Sequence, residues 1–169
     1  YLQADHPSSL RTIALLLSRE QFQSWADIVY SIRTGKCAYE YQNGISFFDH
    51  LNQNDNAAKT FNEAMTSYIQ SVGISVAKHY DFAKYNKMVD IGGGQGVLSL
   101  SILRENPDLK GILFDTPHVI ESAKKYINTH KKIAERCELV GGDFFKSVPQ
   151  GGDIYILSNI VHDWNDNQS

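Results

Sequence analysis

Three carboxylates, a histidine and a glycine-rich turn recur at corresponding places in the second half of this sequence. The apolar run from Met88 closes on Asp90-Ile91 and passes at once into Gly92-Gly93-Gly94-Gln95-Gly96. Asp115 follows the run Gly111 to Phe114. Asp143 and Phe144 follow the run Cys137 to Val140, through Gly141-Gly142. Ser158 and Asn159 follow Ile154 to Leu157, and His162 comes shortly after. Glycine admits backbone angles that a side chain forbids and lets a ligand lie close against the main chain. A helix starting behind such a turn adds unpaired N–H groups and a positive dipole end. That arrangement suits the polar part of a nucleotide-like cofactor. Asp115 could accept both hydroxyls of a ribose. Asp143 could accept from an adenine amino group, with Phe144 against the ring face. The structural alternatives are a helix cap for Asp115, a turn residue for Asp143 and a structural histidine for His162.

The elements that must position these groups follow from the apolar pattern. The four short apolar runs alternate with helical patterns, which indicates a parallel sheet covered on both faces. In such sheets ligands bind beyond the carboxyl ends of the strands, where all of these polar groups fall. The expected strand order is three-two-one-four. Val97, Leu98, Leu100, Ile102 and Leu103 predict a helix that stops before Pro107. Pro117 fits the first turn of another, capped by Thr116 or Asp115, running towards His130 with Lys131 and Lys132 at its end.

Residues 1–80 read as a helical segment and 81–169 as the sheet domain. Ser8 or Ser9 could cap a helix carrying Leu10, Ile13, Leu16 and Leu17. Phe22, Trp25, Ile28, Val29 and Ile32 predict one further helix, closed by Thr34-Gly35. The stretch to Gly44 reads as a loop. A long helix from about Asn56 carries Phe61, Met65, Ile69 and Val76, interrupted by Gly73. The aromatics of these helices, with Met65, read first as core.

The chain has 169 residues, 42% apolar and 21% charged, as soluble globular chains do. Its net charge of -3 points to neither a nucleic acid nor a membrane surface as partner. Cys37 and Cys137 form no CxxC pair, which fits reduced thiols in a cytoplasmic protein. His6, His50, His79, His118 and His130 show no ligand spacing, so no metal is expected. No apolar run approaches transmembrane length.

Two cofactors fit a glycine turn at a strand end. The dinucleotide fingerprint is G-x-G-x-x-G, whereas Gly92, Gly94 and Gly96 follow a G-x-G-x-G spacing behind Asp90. Carboxylates around the turn would repel a pyrophosphate and attract a sulfonium or an amino group. This spacing resembles motif I of class I methyltransferases. Val89 to Gly96, Phe114-Asp115-Thr116-Pro117-His118-Val119, Gly142-Asp143-Phe144-Phe145 and His162-Asp163-Trp164-Asn165-Asp166 are, in that order, similar to motifs of the small-molecule O-methyltransferase family. That family includes plant phenylpropanoid enzymes, acetylserotonin methyltransferase and bacterial antibiotic-pathway enzymes. Ser31 to Gly35 and Phe61 to Met65 also resemble it.

The resemblance implies an α/β, Rossmann-like class I methyltransferase sheet, partial here and preceded by helices. It implies S-adenosyl-L-methionine as cofactor and a small, aromatic hydroxyl compound as acceptor. Gly92 and Gly94 would sit against the methionine part, Asp115 would bind the ribose, Asp143 with Phe144 the adenine, and Asp90 would be a further cofactor-binding residue. Ser158 would lie at a further cofactor contact, Phe61 and Met65 would bind the acceptor, and His162 would take its proton. Plant members carry lysine where Ser158 stands and often serine where Ile69 stands, which alters both contacts. The resemblance also implies an interior fragment of a homodimeric protein, lacking a winged-helix region before it and further strands after it. The alternatives are an NAD-dependent oxidoreductase on a similar sheet and a relative that binds the cofactor without transferring methyl.

Overall fold

The structure is a computed structural model that describes residues 2, 3, 6 and 9–168, with the backbone alone at residues 20 and 71. Contacts divide the chain into two compact units, residues 1–68 and 69–169, with the boundary inside its longest helix.

The first unit is helical. Helix α1 (Arg11–Leu16) leads through a π-helical turn at Leu17–Gln21 into α2 (Phe22–Ala26) and α3 (Ile28–Thr34). Ser8 lies outside the described residues. Ser9 stands one residue before the helix cap, Leu10, and its Oγ accepts from the Arg11 N–H at 3.2 Å. The single helix expected over Phe22 to Ile32 is broken at Asp27. There the Gln42 side-chain amide donates to both the Gln23 carbonyl and the Asp27 carboxylate. The Asp27 N–H turns to the Ser24 carbonyl instead, a tighter turn than the α-helix makes. Gly35 closes α3 in the left-handed region, as its position predicts.

The stretch expected as a loop before Gly44 is instead helix α4 (Ala38–Asn43). Its polar composition hides two buried residues, Ala38 and Tyr39. The Tyr39 ring meets Phe47 edge-on at 5.2 Å. Phe47 belongs to α5 (Phe47–Gln53), capped by the Ser46 hydroxyl, which accepts from the Asp49 N–H. Helix α6 (Asp55–His79) begins where the Asn54 side chain accepts from the Ala57 N–H.

The aromatics of α2 and the apolar residues of α3 are not core. Phe22, Trp25, Val29 and Ile32 are 69%, 63%, 52% and 75% exposed.

The second unit holds a four-stranded parallel sheet in the order β3-β2-β1-β4, as the crossover pattern predicts. The strands are β1 (Lys87–Ile91), β2 (Lys110–Asp115), β3 (Cys137–Gly141) and β4 (Ile154–Ile156). Met88 and Leu113 on one face are buried against α7 (Val97–Glu105), α8 (Pro117–Asn128), α9 (Lys131–Ala134) and the end of α6. Gly73 has a packing reason here: a Cβ on it would lie 2.9 Å from the Ser101 hydroxyl of α7. The other face is not covered by helices among the described residues. Val89, Ile91, Ile112 and Phe114 are met there by Phe144 and Val148 of the following loop.

Lys131 and Lys132 do not end α8. They sit in α9, whose four residues make too short a helix for its dipole to matter. The end of α7 is secured by Arg136, whose guanidinium donates to the carbonyls of Leu103, Asn106 and Leu109. A helix end and its exit leave such carbonyls short of partners, although the Asn106 carbonyl also accepts from the Leu109 N–H. No described helix is long and apolar enough to cross a membrane.

Candidate active site

Backbone hydrogen bonds lock the strand ends to one another. The Gly92 N–H donates to the Phe114 carbonyl at 2.8 Å, and the Gly142 N–H to the Asp115 carbonyl at 2.9 Å. The register pairs Ile91 with Phe114 and Asp115 with Gly141, so the first three strands finish level. Asp90, Asp115, Asp143 and Ser158 therefore all fall at the carboxyl edge of the sheet. Gly92 and Gly94 both take positive φ, at 67° and 57°. At Gly94 the space where a side chain would begin is open, with nothing within 4 Å. A cradle of bare backbone results, shaped for something to rest on it.

Asp115 fixes that cradle. Its Oδ2 accepts from the Gly94 N–H at 2.9 Å, and its Oδ1 accepts from the Thr116 N–H at 2.7 Å and more loosely from the Thr116 hydroxyl. Thr116 is the residue before α8, and Pro117 occupies the first turn. Capping and ligand roles thus converge on one carboxylate, which still has lone pairs to offer.

Asp143 is engaged with its own turn. Its Oδ1 accepts from the Phe145 N–H at 3.0 Å, and Lys146 Nζ lies 3.3 Å from Oδ2. Phe144 stands beside Phe145 and Trp164, with ring centroids 4.7 and 5.9 Å away. Trp164 meets Phe145 edge-on at 4.7 Å. Sequence reasoning gave Trp164 no role. Its signal was its place two residues after His162 in the same motif.

His162 lies on a short 3-10 turn, Val161–Asp163, entered through Asn159, which takes a positive φ of 56°. The imidazole is well exposed, and its Nε2 lies 3.3 Å from Asp163 Oδ1. Partial burial raises the Asp163 carboxyl above its usual range, opposed by the neighbouring His162. Ser158 is half-buried just before this turn. In the first unit, the Phe61 ring packs edge-on to Phe47 and Phe48 at 5.6 and 6.2 Å, and Met65 is half-buried one turn along the same helix.

Asp90 differs from its sequence reading as a group that touches cofactor directly. It is 1% exposed and lies on the helix side of β1, where Ser99 of α7 donates to its Oδ2 at 2.7 Å. Its Oδ1 is the buried side-chain atom without a hydrogen-bond partner among the described residues. Burial pushes its pKa up to about 6, Asp115 pushes the same way, and the bond from Ser99 opposes both. A shallow cavity of about 370 Å³ lies over Ile112, Phe114, Val140 and Val148, and none of the candidate site residues lines it.

A profile of the O-methyltransferase domain matches residues 22–169. The chain belongs to that family. The phenazine O-methyltransferase PhzM of Lysobacter antibioticus is 42% identical over 168 residues, covering 99% of this chain and 49% of that protein. The crystal structure of LaPhzM superposes with a TM-score of 0.91 at 41% identity, over 98% of this chain and 50% of that one. The neocarzinostatin O-methyltransferase NcsB1, solved with S-adenosylmethionine and 2-hydroxy-5-methyl naphthoic acid, gives a TM-score of 0.86 at 28% identity, over 98% and 51%. The chain spans about half the length of the curated relatives it matches. The fold is thus the α/β class I methyltransferase sheet that the motifs implied. O-methyltransferase membership removes the ground for the NAD-dependent oxidoreductase alternative.

Proposed function

We propose that the intact protein transfers the methyl group of S-adenosyl-L-methionine to a hydroxyl of a small aromatic molecule. The observation that carries this is the open backbone cradle at Gly94, pinned by the Asp115 carboxylate at the shared edge of four strands. The residues fit such a cofactor. A bare turn accommodates an amino-acid moiety, and a carboxylate beside it accepts from ribose hydroxyls. Aromatic rings beside Asp143 offer a face to adenine.

In this reading Gly92 and Gly94 hold the methionine part, Asp115 the ribose, Asp143 and Phe144 the adenine, and Ser158 borders the same cleft. Phe61 and Met65 hold the acceptor. The cofactor supplies an electrophilic methyl on a sulfonium. His162 takes the proton from the acceptor hydroxyl. A phenol has a pKa of about 10 and an imidazole about 6.5, so complete transfer beforehand would cost roughly 5 kcal/mol. The proton therefore moves as the oxygen attacks. Asp163 stabilises the imidazolium that forms. The positive charge passes from the sulfonium to the imidazole as the methyl moves to oxygen, so the protein contributes chiefly by orienting the two partners.

The test is transfer of labelled methyl from S-adenosyl-L-methionine by the intact protein to a panel of phenols, naphthols and hydroxyphenazines. Label in at least one product supports the reading. Cofactor binding with no transfer to any hydroxyl would make the protein a non-transferring relative.

The same reading includes a homodimer. A stripe of large apolar residues as exposed as Phe22, Trp25, Val29 and Ile32 is unusual on a monomer's surface. Sedimentation of the intact protein should show a dimer that Trp25→Glu weakens, and a monomer would contradict this. The free Cys37 and Cys137 suit a reducing cytoplasm, which fractionation of the source cells would test.

A further inference from the structure

We propose that Asp90 makes this site selective for charge, its walled-in carboxyl beneath the glycine turn favouring a cationic sulfonium over the neutral thioether left after transfer. The inference rests on the cofactor reading above.

The geometry sets Asp90 against the turn from below. A Cβ on Gly93 would lie 2.7 Å from Asp90 Cγ and 2.8 Å from its Oδ2, and would also collide with Leu113. The carboxyl thus lies directly against the main chain of the turn at Gly93, next to the open position at Gly94. One oxygen is held by Ser99, and the other has no partner among the described residues. No cation among the described residues neutralises it. From β2 the titratable group facing it is Asp115, and from β3 it is Cys137, itself pushed up to about 11 by burial and by Asp90. Helix α7 presents Ser99, and β4 sets Ile156 beside it in register.

A buried carboxylate without a counter-charge is costly, so its ionised form gains whenever a positive charge comes near. Interior charges interact more strongly than exposed ones at the same separation, because little water intervenes. S-adenosylmethionine carries such a charge at sulfur and S-adenosylhomocysteine does not. Both carry the same ribose, adenine, amino and carboxyl groups and differ in the methyl and the charge at sulfur, so the part of their affinity ratio that changes with the ionisation of Asp90 reports the charge.

Binding of the cation should be linked to ionisation of Asp90, and below about pH 6 the carboxyl is protonated and the preference fades. In the intact protein, the ratio of S-adenosylmethionine to S-adenosylhomocysteine affinity should fall by roughly threefold to tenfold between pH 7.5 and pH 5. In Asp90→Asn the ratio should be lower at pH 7.5 by a similar factor and flat with pH. Asp115, Asp143 and His162 remain in that variant, so a surviving slope would belong to them. Ser99→Ala removes the bond that holds the ionised form, and should move the midpoint upward in pH. A ratio constant with pH in the wild-type protein would overturn the proposal, as would a wild-type ratio and slope in Asp90→Asn. Should the asparagine variant fail to fold, the wild-type slope and the Ser99→Ala midpoint decide. Failure of the wild-type protein to bind either compound would instead overturn the cofactor reading, and this proposal with it.

Discussion

Replacing His162 with glutamine in the intact protein should leave S-adenosyl-L-methionine affinity within about twofold and cut methyl transfer by roughly 100- to 10,000-fold. Glutamine keeps hydrogen-bonding capacity near this position but cannot accept a proton at neutral pH. The exposed imidazole on the turn after β4 has Asp163 beside it to support the charged form. Asp163 itself is a poor substitute base, since even a raised carboxyl remains far below a phenol in basicity. The loss should shrink for acceptors with more acidic hydroxyls, which need less help with the proton. Steady-state rates against nitrophenols and unsubstituted phenols would show this as a dependence on acceptor pKa. Wild-type turnover on an ordinary phenol would make His162 structural. An equal loss of cofactor affinity would mean that it supports the pocket.

Asp115→Ala should weaken S-adenosyl-L-methionine binding by about 1 to 3 kcal/mol, the range for a lost charge-assisted hydrogen bond. The structure gives a second reason for the effect. Asp115 Oδ2 accepts from the Gly94 N–H, so alanine also frees the turn on which the cofactor would rest. Asp115→Asn separates the two contributions. Its amide oxygen can still accept from Gly94, while the charge proposed to receive the ribose hydroxyls is gone. Calorimetry should place the asparagine variant between wild type and alanine. An unchanged dissociation constant in the alanine variant would count against the ribose role.

The sheet was legible because buried parallel strands must be short and apolar, and glycine, aspartate and proline bound each run here. Its strand order followed from right-handed crossovers, and the carboxyl edge followed from the order. The burial of Asp90 follows from a pattern the sequence already contained. Side chains alternate along a strand, so Asp90 shares the face of Met88, which packs under the helices. An acid next to a glycine turn suggests a ligand contact, whereas strand alternation sets its side chain under the helices.

The helical unit was less legible. Tyr39 and Ala38 are buried within a stretch whose composition is polar, so the loop reading missed α4. The break at Asp27 depends on Gln42, a partner far along the chain that no local pattern reveals. Periodicity identified the apolar stripe of α2 and α3 correctly but not what it faces, because spacing cannot tell a core from an exposed surface.

Titrating the intact protein with S-adenosyl-L-methionine and, separately, with NAD at neutral pH in a calorimeter tests the central claim most directly. The carboxylate-ringed turn should bind the sulfonium compound saturably, with about one site per chain, and give no heat of binding with the pyrophosphate compound. Binding of NAD with no response to S-adenosyl-L-methionine would contradict the account.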